Sequence, residues 1–154
     1  RADYVIDTSN MKATDLKNEI HDIFTSSGEQ DTFVINILSF GYKKGIPLTA
    51  DMVFDMRFIP NPYYFRSMKK LTGKSKKVRE FVMKHKQTQD FIKSLKDMAD
   101  MIIPLFEEQG KYHLNIAFGC TGGQHRSVVM ANEFARIFKE QGRRVTLEHR
   151  DAKK

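Results

Sequence analysis

Tyr112-His113-Leu114-Asn115-Ile116-Ala117-Phe118 runs directly into Gly119-Cys120-Thr121-Gly122-Gly123-Gln124-His125, and the order of these two stretches decides the fold. The first is a short, largely apolar run that stops at glycine, which reads as a strand. From about Arg126 to Gln141 the pattern is helical, Gly142 ends it, and Arg143 to Glu148 reads as another strand. Strand, helix and strand in that order form a βαβ unit. The expected class is therefore α/β, with a mixed or mainly parallel sheet flanked by helices.

The rest of the chain fits that class. Thr32 to Phe40 is rich in β-branched and aromatic residues and reads as a strand; Gly41 to Pro47 is a basic, glycine-punctuated loop. Met52 to Arg57 reads as a short strand, ended by Pro60-Asn61-Pro62-Tyr63-Tyr64. From Thr88, taken as an N-cap, Phe91, Leu95, Met98, Ile102 and Leu105 recur at helical spacing until Gly110, with Pro104 a candidate kink. Upstream, Ala2 to Thr8 reads as a strand, and Leu16, Ile20, Ile23 and Phe24 lie on one face of a helix. The polar break Ser26-Ser27-Gly28-Glu29-Gln30 sets a boundary near Gly28: residues 1–27 read as the tail of a preceding unit or a linker, residues 28–154 as one domain.

Composition limits the function classes. Hydrophobic residues are 40% and charged residues 29%, as in globular domains, and no apolar run approaches the roughly 18 residues that span a bilayer. No membrane partner and no metal site is expected. One cysteine, Cys120, allows no internal disulfide, and no signal-peptide pattern is present, so a cytoplasmic location is expected. The net charge of +7 favours anionic partners, nucleic acid among them.

The turn between strand and helix has the make-up of an anion cradle. Glycines let successive N–H groups point inward, and the helix start adds unpaired donors and partial positive charge. A helix end alone contributes only about 0.3–1 kcal/mol when exposed. Useful affinity then needs Arg126 and the Thr121 and Ser127 hydroxyls, with a protonated His125 as an optional further contributor. A glycine turn that serves only packing is the plain alternative. The loop also spells cysteine, five residues, then Arg126-Ser127, the spacing of cysteine-dependent phosphatases, which makes Cys120 a candidate nucleophile. No convincing general acid for it is evident: Asp51 and Asp55 are the only nearby-looking candidates, and nothing in the sequence places them.

Ser39 to Pro47, Asp51 to Tyr63, Leu71-Thr72-Gly73, Gly119 to Ser127 and His149-Arg150-Asp151 together resemble, in order and through nearly the whole chain, the RapZ (YvcJ-type) family of RNase adapters. The resemblance makes residues 28–154 the family's C-terminal metabolite- and RNA-binding domain and residues 1–27 the end of its N-terminal P-loop NTPase-like domain. The Walker-type loop lies outside this sequence, so ATP or GTP is expected only in that other domain and no cofactor in this one. The resemblance implies a domain that is not an enzyme, but senses a sugar phosphate such as glucosamine-6-phosphate, binds small RNA, delivers it to an RNase, and forms homo-oligomers. It implies phosphate ligation by Cys120, Thr121, Gly122, Gly123, His125, Arg126 and Ser127, with Asp55, Arg57 and Asn61 completing the pocket. The branch with known RNA clients resembles this chain less at Tyr63-Tyr64, where it has His-Trp, at Gln124, where it has lysine, and in its longer, more basic tail.

RNA contacts are expected in the densest basic stretch: Lys69, Lys70, Lys74, Lys76, Lys77 and Arg79, with Arg66, Lys84 and Lys86 alongside and Tyr63, Tyr64 and Phe65 adjoining. Lysines at this density release counterions from a phosphate backbone, and aromatics stack on unpaired bases. Arg150, Lys153 and Lys154, near Arg143, Arg144 and His149, form a second basic group. Solvated surface is the alternative for both. A metabolite sensor that acts through protein contacts without RNA is the third functional reading.

Overall fold

The computed structural model describes residues 33–153; the elements read over residues 1–27, the boundary near Gly28 and Lys154 lie outside the described residues. The sheet strands are β1 (Val34–Gly41), β2 (Met52–Asp55), β3 (His113–Cys120) and β4 (Arg144–His149); the helices are α1 (Lys76–Met83), α2 (Lys86–Glu108) and α3 (Arg126–Glu140). Single 3-10 turns sit at Tyr42–Lys44 and Pro62–Tyr64.

All four strands are parallel, in the order β2-β3-β1-β4. The expected βαβ unit is β3-α3-β4, and its crossover passes over β1, which occupies the centre of the sheet. The register runs from Val34 opposite His113 to Gly41 opposite Cys120. β1 and β3 therefore end level, and the glycine loop leaves the carboxyl edge of the sheet, where open α/β sheets bind ligands.

One face of the sheet is dry. Ile35 and Ile37 of β1 and Leu114, Ile116 and Phe118 of β3 join α3, whose Met130, Phe134 and Phe138 are fully buried. Phe134 stacks on Phe118 with ring centroids 5.4 Å apart and touches Phe138 at 5.9 Å. The other face carries a polar patch, where Asn36 donates to Asn115 at 2.8 Å and accepts from Thr146 at 2.6 Å.

Two sequence expectations shift. α1 falls inside the stretch read only as a basic run, because three of its eight residues, Lys76, Lys77 and Arg79, are basic and Val78 and Val82 are its only fully buried residues. α2 begins at Lys86 with His85 as cap, so Thr88 lies inside the helix, where it is buried. The chain continues helically through Pro104, and Gly110, at φ 79°, supplies the stop.

Because three aromatic rings converge on Phe134, Phe134→Ala should destabilise the domain by about 3–5 kcal/mol. The midpoint of urea unfolding reads that loss directly.

Candidate functional site

The loop Thr121–His125 is held by its carbonyls. The Lys43 amide donates to Thr121 O at 3.1 Å, the Gly73 amide to Gln124 O at 2.7 Å, and the Val129 amide to His125 O at 3.0 Å. The backbone N–H groups of Thr121 through Ser127 meet no acceptor among the described residues. The loop thus faces its neighbours with acceptors and leaves a run of donors free, the arrangement in which backbone amides can hold an anion.

The approach to β1 is close. A Cβ on Gly41 would lie 2.5 Å from the Gly122 carbonyl carbon, and Gly123 has φ +76°, so neither position admits another residue without strain. The carboxyl-terminal segment locks this contact. Asp151 accepts from the Gly41 amide at 2.8 Å, while Gln124 donates to the Asp151 carbonyl at 2.8 Å and accepts from the Lys153 amide at 3.0 Å.

Arg126, first residue of α3, is 4% exposed. It donates to the carbonyls of Ile59 at 2.9 Å and Arg57 at 3.2 Å, and weakly to the Thr121 hydroxyl at 3.5 Å. Every one of these partners is uncharged, and its Nε has no partner. Burial lowers its pKa, an effect partly offset by Cys120 and Asp55. Asp55 is engaged elsewhere: it forms a forked ion pair with Arg57 at 2.6–3.0 Å, which holds its carboxyl below the usual range. Arg57 in turn lies 4.0 Å over the Tyr42 ring.

Cys120 is 2% exposed, with its sulfur 3.1 Å from the Ser127 hydroxyl. His125 is buried, and its Nε2 bonds the Met68 carbonyl at 3.1 Å, which requires the proton on Nε2. Burial lowers its pKa, so it is neutral near pH 7, and its ring is committed to Met68. The protonated His125 expected from the sequence is thereby corrected.

Residues 33–153 match the family described as the RapZ C-terminal domain. The chain belongs to the RapZ family. It is 46% identical over 153 residues to a nucleotide-binding protein of Caldicellulosiruptor saccharolyticus, covering 99% of this chain and 52% of the relative. It is also 47% identical over 153 residues to one of Acetivibrio thermocellus, covering 99% and 53%. The chain thus spans about half the length of these curated relatives, which carry no enzymatic name.

Within this RapZ domain, the fold gathers Cys120, Thr121, Gly122, Gly123, Arg126 and Ser127 into one loop and brings Asp55 and Arg57 to its edge. Asn61 instead caps the turn at Pro62–Tyr64, accepting from the Tyr63 amide at 3.0 Å. Of the basic residues, Lys153 adjoins the loop through its amide, whereas Lys70, Lys74, Lys77 and Arg79 are exposed and Lys76 faces Glu80 at 3.9 Å. Lys69 sits 4.8 Å over the Tyr63 ring, and Arg150 is tied to Asp151 and to the Gly45 carbonyl. No helix among the described residues is long and apolar enough to cross a membrane.

Sequence reading missed Gly41, Tyr42, Gln124 and Asp151 as parts of the site. It also missed a buried relay beside it: Ser39 donates to His149 Nδ1 at 2.7 Å, and His149 Nε2 donates to Asn132 at 2.9 Å. His149 is also neutral, its pKa lowered by burial and by Lys74. Since His125 and His149 resist protonation in the fold, the unfolded chain takes up protons that the fold does not once pH drops below about 6.5. Their contribution is fully present above that value and falls below it. Melting temperatures measured from pH 7.5 to 5 should drop, and His149→Gln should flatten that slope.

Proposed function

We propose that this domain senses a sugar phosphate of the glucosamine-6-phosphate kind in the glycine loop and acts as an RNA-binding adapter. The observation that carries the reading is Arg126: a buried guanidinium with uncharged partners and an unpartnered Nε, beneath a row of free N–H groups. A buried charge without a counter-charge costs several kcal/mol, far more than a helix end returns. A phosphate bound by the loop would supply that counter-charge through charge-assisted hydrogen bonds of about 1.5–3 kcal/mol each.

In this reading Thr121, Gly122, Gly123 and Ser127 hold the phosphate with Arg126, and Asp55 and Arg57 at the edge meet the sugar's polar groups. His125 contributes its backbone rather than its ring. The exposed lysines from Lys69 to Arg79, with Lys153 and Lys154, track RNA, and an RNase and further copies of the chain are the protein partners. ATP or GTP belongs to the half of the family's length outside this chain, and the cytoplasm is the compartment.

A second reading has one observation in its favour. Cys120, Ser127 and Arg126 stand together as in a cysteine-dependent phosphatase, with the thiol 3.1 Å from the Ser127 hydroxyl. Burial of Cys120 and engagement of Asp55 by Arg57 oppose it, since the sulfur is shielded from a substrate and the candidate acid is already paired.

Titration calorimetry with glucosamine-6-phosphate, using phosphate and glucosamine as controls, separates the two. Saturable binding that is lost in Arg126→Ala and kept in Cys120→Ser, without phosphate release, is the expected result. Release of phosphate that depends on Cys120 would replace the sensor with a phosphatase.

A further inference from the structure

Between Pro60 and Arg79 the sequence carries seven lysines and arginines and no aspartate or glutamate. Among the described residues only Lys76 of the seven faces a carboxylate, Glu80 at 3.9 Å. In the same segment three consecutive aromatics stand in solvent: Tyr63 is 48%, Tyr64 80% and Phe65 46% exposed. Large rings so exposed beside unpaired cations are what a stacking surface for a polyanion requires.

The surface is built rather than loose. Pro60 and Pro62 fix the backbone, Asn61 caps the 3-10 turn, and the Tyr64 and Phe65 amides donate to the Asn61 and Pro62 carbonyls at 3.2 and 3.0 Å. Tyr63 and Tyr64 meet edge to face at 5.8 Å, with the Lys69 ammonium 4.8 Å over Tyr63. Phe65 continues the surface to Phe81 at 5.0 Å, where Lys84 lies 5.0 Å over the ring. Cations thus alternate with rings from the turn to the end of α1. Buried Met68 anchors the segment and accepts from His125, so the surface is tied to the end of the glycine loop where α3 begins.

We propose that Tyr63, Tyr64 and Phe65, with Arg66, Lys69 and Lys70, form a stacking surface for single-stranded RNA. This deepens, and rests on, the RNA-binding part of the function proposed above. The rings take unpaired bases, whose faces a duplex hides inside its stack, while the flanking cations take the phosphates. The charge complementarity selects RNA over an apolar protein partner, because such a surface would desolvate the six cations of this segment that face no carboxylate, without supplying counter-charge.

Fluorescence anisotropy on the 154-residue chain tests this with two probes, labelled oligoadenylate and the same strand annealed to oligouridylate. The single strand should bind more tightly than the duplex. Tyr64→Ala should weaken it by roughly five- to a hundred-fold, Tyr64→Phe should keep it, and Lys69→Ala should lower the salt slope by about 0.7. Tyr64 is mostly in solvent, so its variants should melt with the wild type. Equal binding of duplex and single strand, indifferent to Tyr64→Ala, would overturn the surface and leave the RNA reading standing. Binding of neither probe removes both. A Tyr64→Ala variant that loses self-association but keeps RNA would assign the rings to a second copy of the chain and overturn the proposal.

Discussion

A guanidinium buried without a counter-charge is the feature on which the site depends. Arg126 reaches back from the first turn of α3 to the carbonyls of Arg57 and Ile59, and so joins the loop after β3 to the segment after β2. Those carbonyls satisfy part of its donors but none of its charge. The Asp55 carboxylate close by is paired directly to Arg57 and is only a secondary influence on Arg126. An apolar side chain would connect the same elements at less electrostatic cost, and that cost is the ground for the anion-binding role proposed for Arg126.

The loop can face this charge with N–H groups because its carbonyls are satisfied from outside, by Lys43 on one side and Gly73 on the other. That division demands backbone contact too close for side chains, which Gly41 and Gly123 permit. The carboxyl-terminal segment secures the same contact through Asp151 and Gln124. Four segments far apart in sequence therefore converge on one turn, and the carboxyl edge of a parallel sheet with level β1 and β3 ends is the place where they can.

What the sequence made legible followed local periodicity. The run Tyr112–Phe118, its glycine turn and the helix from Arg126 are correct to within two residues, since hydrophobic spacing and glycine both act locally. α1 was hidden because it is only eight residues long and its apolar residues Val78, Phe81, Val82 and Met83 follow a run dominated by lysines. Cys120 to Ser127 could be proposed together from the sequence because they are contiguous. Gln124 and Asp151 lie in stretches that carry the family resemblance, but their hydrogen bond spans 27 positions and the Gly41–Asp151 bond 110, distances that no local pattern reveals. His125 misled for a similar reason: its acceptor, the Met68 carbonyl, lies 57 residues away, and the burial of the ring that comes with this contact lowers its pKa even though the hydrogen bond itself raises it.

The central claim is that Arg126 is completed by an anion rather than by the protein itself. Thermal melting in rising inorganic phosphate, at constant ionic strength, tests it most directly, because an anion bound only by the folded chain raises the melting temperature with its concentration. The wild type should rise and Arg126→Met should not. No rise in the wild type, or an equal rise in both, would mean that Arg126 is a structural tie and that the loop holds no anion through it.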